Sequence, residues 1–176
     1  MKKQLHIDAS RRGIWSVTLT NPPINMLDHG TILELLGLVN EMERNASLKV
    51  VVFQSADPDF FIAHYDGSSG HDSSATVTSE YAPWLDFILR LGKLPVVSIA
   101  KIRGRTRGAG NELVLACDMR FASRERALFG QPEVGVGLIP GGGAMEWLPR
   151  LVGRSRAIEI VLGATTSTPR RRNVTE

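Results

Sequence analysis

Two glutamates stand beside glycine-rich turns in otherwise apolar surroundings, and their positions favour acid–base chemistry. Glu112 follows a run of small residues, and Glu133 is the only charged residue in the stretch 129–143. A carboxylate in apolar surroundings has its pKa raised by desolvation unless it is paired. Two carboxylates in different environments are what acid and base catalysis near neutral pH needs. Each has a simpler interpretation, as a favourable charge at a helix start for Glu112 and as a surface loop residue for Glu133.

The small residues before Glu112 predict a place where backbone N–H groups can meet a ligand. A buried strand at 95–102 ends shortly before them, and a helix is predicted to begin near Ala109. The first N–H groups of a helix lack intrahelical acceptors and carry partial positive charge. Small side chains let a ligand approach that backbone closely. The turn is therefore a candidate donor site for an oxygen that acquires negative charge.

Apolar periodicity predicts the elements that must position these residues. The clearest helix covers 26–45, with apolar residues at helical spacing and Asp28 or Thr31 as its cap. Continuous apolar runs at 49–55 and 95–102 are typical of strands buried in a parallel sheet. Further strands are predicted within 3–20, at 119–123 and at 127–130. Further helices are predicted at 79–94 (with Pro83 in the first turn), 142–153 and 155–164. A long polar loop is predicted at 56–79. The alternation of strands and helices predicts an α/β fold.

Composition excludes several classes of protein. The chain has 176 residues, enough for one domain with a core, and its 43% hydrophobic and 22% charged residues are typical of a globular protein. The net charge is only +3, and three arginines of the excess lie in 165–176, so nucleic acid is not expected as a partner. Cys117 is the single cysteine, which excludes an intrachain disulfide and predicts a small buried residue. Neither a signal peptide nor a membrane span is found in the sequence, so we expect a cytoplasmic location.

Taken together, these segments resemble the crotonase superfamily, best known from enoyl-CoA hydratase. The matching segments are NPPINMLD, VVVFQS, FFIAHYDG, PVVSIAKIRG, GAGNELVLACDMRFAS, FGQPEVGVGLIPGGG and LPRLVGRSRAIEIVL. They keep the family's order and spacing from about Ile14 to Gly163. The resemblance implies a crotonase-like (ClpP/crotonase) ββα spiral core at 1–164 that lacks most of the C-terminal helical region. It leaves 165–176 as a tail outside the family pattern, which we expect to be disordered.

The resemblance also implies a reaction and its residues. In the hydratases, the glutamates that match Glu112 and Glu133 hold one water between them and add it, on one face, to the double bond of a 2-enoyl-CoA thioester. The backbone N–H groups that match Tyr65 and Ala109 form the oxyanion hole. Further substrate-binding positions are implied at Ala63, His64, Asp66, Gly108, Pro132 and Gly141. Coenzyme A belongs to the substrate, so the expected partner is an acyl-CoA, and no separate cofactor and no metal are expected. The resemblance also implies that the chain assembles into a homotrimer or hexamer.

The sequence departs from the family pattern at two places. His64 and Tyr65 replace a Gly-Ala pair; we expect His64 to be a local hydrogen-bonding group, and the stretch 66–72 lacks a lysine that many hydratases use for a phosphate. The family also normally continues for ~80–100 residues beyond this point, a length on the scale of a small domain. Shifting GC-rich codons for the last twelve residues by one base yields the acidic, alanine-rich reading DDFDAAAAERYG. We therefore expect that a frameshift replaced the C-terminal region.

Other functions are weaker alternatives. An enoyl-CoA isomerase shares the oxyanion site, and a truncated chain of this fold can be catalytically inactive. A dinucleotide site fails because Pro140 takes the third glycine position of the motif, and no G-x-S-x-G segment favours a serine hydrolase. His64, Asp66, His71 and Asp72 have no recognised metal-ligand spacing. The segment 103–108 is interpreted as a solvated basic loop rather than an RNA contact.

Overall fold

The computed structural model describes residues 3–67 and 81–167 as strands and helices in alternation. The strands are β1 (Leu5–Arg11), β2 (Ile14–Leu19), β3 (Val50–Ser55), β4 (Phe60–Ile62), β5 (Val97–Ile102), β6 (Arg105–Arg107), β7 (Met119–Ala122), β8 (Leu128–Gly130) and β9 (Thr166–Ser167). The helices are α1 (His29–Arg44), α2 (Pro83–Leu91), α3 (Ala109–Ala116), α4 (Ala144–Val152) and α5 (Arg154–Gly163), and a 3-10 helix covers Glu133–Val136.

The strands form two sheets that are built from a repeated unit. One sheet has the order β1-β2-β3-β5-β7 and the other the order β4-β6-β8-β9. Only the β1–β2 and β8–β9 pairs are antiparallel among the described pairs. The pairs β3–β4, β5–β6 and β7–β8 each give one strand to each sheet, and a helix follows each pair. This repetition confirms the predicted ββα core and α/β class.

Helix α1 shows how the sequence pattern produces the core. The side chain of Asp28 accepts a hydrogen bond from Thr31 N at 2.8 Å, so Asp28 is the N-cap that the sequence predicts. The apolar face of α1, including Ile32, Leu35 and Val39, is buried in the main core. Its burial supplies the stability that a 16-residue helix lacks on its own.

The two short strands β4 and β6 are not predicted from the sequence. The predicted polar loop at 56–79 contains β4, and the segment assigned to a basic loop contains β6. Each is three residues long, too short for an alternating pattern to stand out, and each depends on parallel pairing with strands distant in sequence: β4 pairs with β6, and β6 pairs with both β4 and β8. The remainder of the predicted loop, from residue 68, lies outside the described residues.

The predicted tail begins in an ordered strand. Thr166 pairs with Gly130 and Ser167 with Phe129, so β9 extends the second sheet and the prediction of disorder is wrong at these two residues. These two residues are ordered because the edge of β8 carries backbone N–H and C=O groups that can pair with an extended segment beside it. Residues 168–176 lie outside the described part of the chain.

Cys117 is buried, as predicted, and its burial raises the pKa of the thiol to about 12. The thiol is therefore a packing group rather than a nucleophile. Within the described ranges, no helix has the length and apolar character that crossing a membrane requires.

Candidate active site

The candidate site is built around the turn between β6 and α3. Gly108 caps α3 with a φ of 53°, a conformation that favours glycine, and its carbonyl accepts a hydrogen bond from Glu112 N at 3.0 Å. A Cβ on Gly108 would also lie 3.0 Å from Glu133 Oε1. Helix α3 thus begins at Ala109, as predicted, and the turn brings Glu133 against the start of the helix that carries Glu112.

Glu112 is a buried carboxylate with donors on both oxygens. Its side chain is in the core, with 3% of the residue exposed. Oε1 accepts hydrogen bonds from Gly142 N at 2.6 Å and Ala144 N at 3.4 Å, and Oε2 accepts one from Trp84 Nε1 at 3.1 Å. Burial raises the pKa of Glu112 and the charge of Glu133 raises it further, while the three donors oppose this shift. The protonated form of Glu112 is thereby favoured relative to an exposed glutamate.

Glu133 is less buried and keeps one oxygen unused. Gln131 Nε2 donates to Oε1 at 3.0 Å, whereas Oε2 is shielded from solvent and has no hydrogen-bond partner within the described ranges. Burial raises the pKa of Glu133, as the sequence predicted, and the charge of Arg107 lowers it in part. Glu133 Oε1 lies against Gly108, whose carbonyl accepts the hydrogen bond from Glu112 N, so the two glutamates flank one turn. The structure therefore brings together two carboxyl groups in unequal environments.

Two buried amides connect α3 to Glu133. Asn111 Nδ2 donates to Gln131 Oε1 at 2.7 Å, and Gln131 in turn donates to Glu133. Both amide residues are fully buried. Such a chain of hydrogen bonds fixes the orientation of the carboxyl group at its end. The sequence analysis assigned neither residue; the signal it offers is two long polar side chains within apolar segments.

The N–H group of Tyr65 points away from the strand segment at Leu27. The two residues form a parallel bridge in which Leu27 N donates to His64 O and Asp66 N donates to Leu27 O, both at 2.9 Å. These bonds use the carbonyl of His64 and the N–H of Asp66, so the N–H of Tyr65 takes no part in the bridge to Leu27.

Helix α3 lies close to the end of β4. A Cβ on Gly110 would be 2.7 Å from both Cβ and the carbonyl oxygen of Ile62, so only a glycine permits this approach. The N–H of Ala109, in the first turn of α3, has no intrahelical acceptor. Tyr65 and Ala109 are therefore on neighbouring segments, as a shared donor site requires.

The remaining predicted residues are distributed around these groups. Ala63 is buried, Asp66 is half-buried and His64 is exposed; His64 Nδ1 lies 2.8 Å from Tyr65 O, which confirms the local hydrogen bond expected of it. Pro132 precedes Glu133 and lies beside Gly108.

The glycine in contact with Glu112 is Gly142, which follows the predicted substrate-binding residue Gly141. A Cβ on Gly142 would overlap Glu112 Oε2 and Trp84 Nε1, whereas Gly141 is exposed and a Cβ there would meet nothing within 4 Å. In a run of three glycines, sequence position alone does not determine which one turns inward. Trp84 was also missed, because its contact with Glu112 depends on how α2 packs against α3.

No cluster of three or more potential metal ligands exists among residues 3–67 and 81–167. Two members of the alternative metal set, His71 and Asp72, lie outside these ranges.

Comparison with known proteins identifies the same family as the sequence motifs. The family model for enoyl-CoA hydratase/isomerase matches residues 9–171. A candidate enoyl-CoA hydratase from Streptomyces avermitilis is 39% identical with a TM-score of 0.82, and 96% of this chain and 62% of that chain are covered. Enoyl-CoA hydratase from Bacillus anthracis is 26% identical with a TM-score of 0.85, and 96% and 66% are covered. DspI of Pseudomonas aeruginosa is 28% identical with a TM-score of 0.85, and 97% and 64% are covered. The chain thus spans about two thirds of the length of these proteins.

Proposed function

Because the chain belongs to the enoyl-CoA hydratase/isomerase family, we propose that it adds water to a 2-enoyl-CoA thioester, with Glu112 and Glu133 as the acid–base pair. Family members act on acyl-CoA thioesters. The observation that carries the proposal is the presence of two glutamates with different surroundings on either side of the Gly108 turn. Glu112 is fully hydrogen-bonded, whereas Glu133 keeps one oxygen free for a water.

In the proposed reaction, the water oxygen bonds to the β-carbon of the double bond. Glu133 Oε2 takes a proton from this water, and Glu112 gives its proton to the α-carbon on the same face. The negative charge that develops on the thioester oxygen is stabilised by the N–H groups of Tyr65 and Ala109, and one such donor is typically worth about 3 kcal/mol. The pair is restored when the proton gained by Glu133 returns to Glu112. Atoms balance with water as the only co-substrate.

The same proposal assigns the surrounding residues to substrate binding. Ala63, His64 and Asp66 would lie along the bound coenzyme A, while Gly108, Pro132 and Gly141 would border the reacting acyl group. Coenzyme A arrives and leaves as part of the substrate, so the reaction needs no separate cofactor.

Isomerisation of the double bond is the alternative within the family. It needs the same oxyanion site but one proton-transfer group is enough, so the presence of both glutamates favours hydration. An inactive chain is the second alternative. Supporting it, large apolar residues are exposed at the end of the 3-10 helix, directly after it and on α5: Val136, Leu138, Ile139 and Leu162. An uncovered apolar surface of this kind normally contacts further polypeptide.

Hydration of crotonyl-CoA, followed by loss of the enoyl absorbance, tests the proposal. We expect turnover by the chain, and we expect Glu112→Gln and Glu133→Gln each to lower kcat by at least about 100-fold, the usual scale for positioned acid–base groups. Glu125→Gln is the matched control, because Glu125 is exposed on a distant turn. Absence of turnover by the unaltered chain would favour the inactive alternative. Turnover of a 3-enoyl-CoA that depends on only one glutamate would favour the isomerase.

A further inference from the structure

We propose that the outer face of the five-stranded sheet is a docking surface for a second copy of this chain, related to the first by a two-fold axis. The outer face is the side of this sheet that points away from the main core. The inference goes beyond the proposed function and does not depend on it, since the candidate active site is built around β6 and α3.

The strands of this sheet bury one face and leave the other uncovered. On β3, Val51 and Phe53 are buried in the main core, whereas the alternate residues Val50 and Val52 are only half-buried. From β2 to β7 the strands are parallel, and parallel sheets are found almost only with both faces covered. The outer face is therefore a surface that a single copy, as far as it is described, leaves without its cover.

The middle of the outer face is apolar. The register pairs Ile14 with Val50, Val50 with Val97, and Val52 with Ile99, so these side chains form adjoining rows. With the exception of Val97, they line an open groove of about 500 Å³. A continuous apolar surface of this kind is typical of an interaction site.

A ridge of larger side chains lies beside the groove, on β7. Met119 and Phe121 are 44% and 58% exposed, and Phe121 pairs with Lys101, which lines the groove. At the opposite border, on β1 and β2, short side chains line the groove, namely Ser10 and Ser16. The outer face thus carries a raised edge and a lowered edge.

The ridge and the groove face the same direction, which determines how a second copy can engage both. Its own outer face must be turned towards the first copy across a two-fold axis. Since β3 is the middle strand of the five, an axis along β3 places β7 of each copy over β1 of the other. Each ridge then lies over the groove of the opposite copy.

The charges on the outer face are complementary under the same axis. Asp8 on β1 and Lys101 on β5 both border the groove. Within one copy they are separated by β2 and β3, about 14 Å at the usual spacing of strands, which is too far for an ion pair. The two-fold axis brings Lys101 of each copy towards Asp8 of the other, so the contact is made twice.

The size of the face suits two copies. Its five strands lie about 4.8 Å apart and its central strands have six residues at about 3.3 Å each, so the face measures roughly 24 by 20 Å. Two such faces bury about 1,000 Å² in projection, which reaches the area of a specific interface. The stretches of sequence outside the described ranges, 68–80 and 168–176, are mostly polar and do not match an apolar face.

Sedimentation velocity of the chain and of ridge variants at micromolar concentration tests the inference. We expect an even number of copies for the unaltered chain and half that number for Phe121→Lys and for Met119→Lys, because each change places a charge in the apolar groove of the opposite copy. Leu33→Lys is the matched control and should keep the copy number: Leu33 is 42% exposed, but it lies on α1 and not on the sheet.

Exchange of the charges identifies the second copy as the occupant. Asp8→Lys and Lys101→Asp should each raise the dissociation constant between the two copies by about 10-fold, because like charges then meet twice. The double variant should return to within about 3-fold of the unaltered chain, since the opposite charges meet again.

Three results would overturn the inference. The first is a monomer or an odd number of copies for the unaltered chain, which would leave the face to another kind of partner. The second is an unchanged copy number in a folded ridge variant. The third is a double charge variant that associates no more tightly than the single variants. If Phe121→Lys does not fold, Met119→Lys provides the same comparison, and Asp8→Lys changes an exposed residue of the edge strand β1.

Discussion

Addition of one methyl group to Gly142 should disturb the site more than any other change of that size in its glycine run. Gly142 is buried between Glu112 and Trp84, and its N–H makes the 2.6 Å hydrogen bond to Glu112 Oε1. In Gly142→Ala, the new Cβ would overlap Glu112 Oε2 and Trp84 Nε1. Neither neighbour can move away easily, because one is a buried carboxylate and the other is part of a ring stacked on Phe87.

Two costs follow from this overlap. Overpacking of a filled site typically costs 1–3 kcal/mol of unfolding free energy, so we expect a loss of about 2 kcal/mol. Displacement of Glu112 also leaves the buried Gly142 N–H without its acceptor, a loss typically worth about 1–3 kcal/mol. If that interaction positions the acid in the transition state, kcat should fall by about 10- to 100-fold, because each 1.4 kcal/mol corresponds to a factor of ten.

Urea denaturation measures the first cost and hydration of crotonyl-CoA the second. Gly141→Ala is the matched control, since it adds the same methyl group to an exposed neighbour with nothing within 4 Å. We expect this control to keep its stability within about 0.5 kcal/mol. The reasoning is refuted if the two alanine variants unfold at the same urea concentration, because the contact at Gly142 would then have no energetic effect.

Two further predictions concern the pH dependence of stability and self-association. Burial raises the pKa of Glu112 above its ordinary 4.5, so the associated stability is present below that pH and is lost as pH rises through the folded-state pKa. Glu112→Gln should therefore lose less unfolding free energy than the unaltered chain between about pH 5 and pH 8. Equal losses in the two chains would contradict this prediction. The exposed apolar residues Val136, Leu138, Ile139 and Leu162 should drive assembly into a trimer or hexamer, which sedimentation velocity measures, and a monomer at micromolar concentration would count against it.

Local patterns in the sequence predicted most of the helices and long strands. The cap at Asp28 and the apolar spacing of α1 are local features, because they depend on residues within a few positions of one another. The three-residue strands β4 and β6 are different. Each is stabilised by a partner more than 40 positions away along the chain, as in the pairing of Phe60 with Arg105, so neither carries a strong signal of its own.

The candidate site was predicted where motif spacing specifies it and missed where packing does. Glu112 and Glu133 were predicted because carboxylates are conspicuous in apolar segments beside glycines. Trp84 comes from α2, whose approach to α3 is a tertiary contact that no short motif records. Asn111 and Gln131 were missed because a buried amide is recognisable only when its partner is known.

The short strand β9 has a consequence for handling the protein. Its pairing with Phe129 and Gly130 covers the otherwise open side of β8, which would present unpaired backbone groups if the chain were cut after Ala164. Such a border is a template on which strands from other molecules can add. We therefore expect removal of the two residues of β9 to increase the aggregation of the purified protein through the exposed edge of β8.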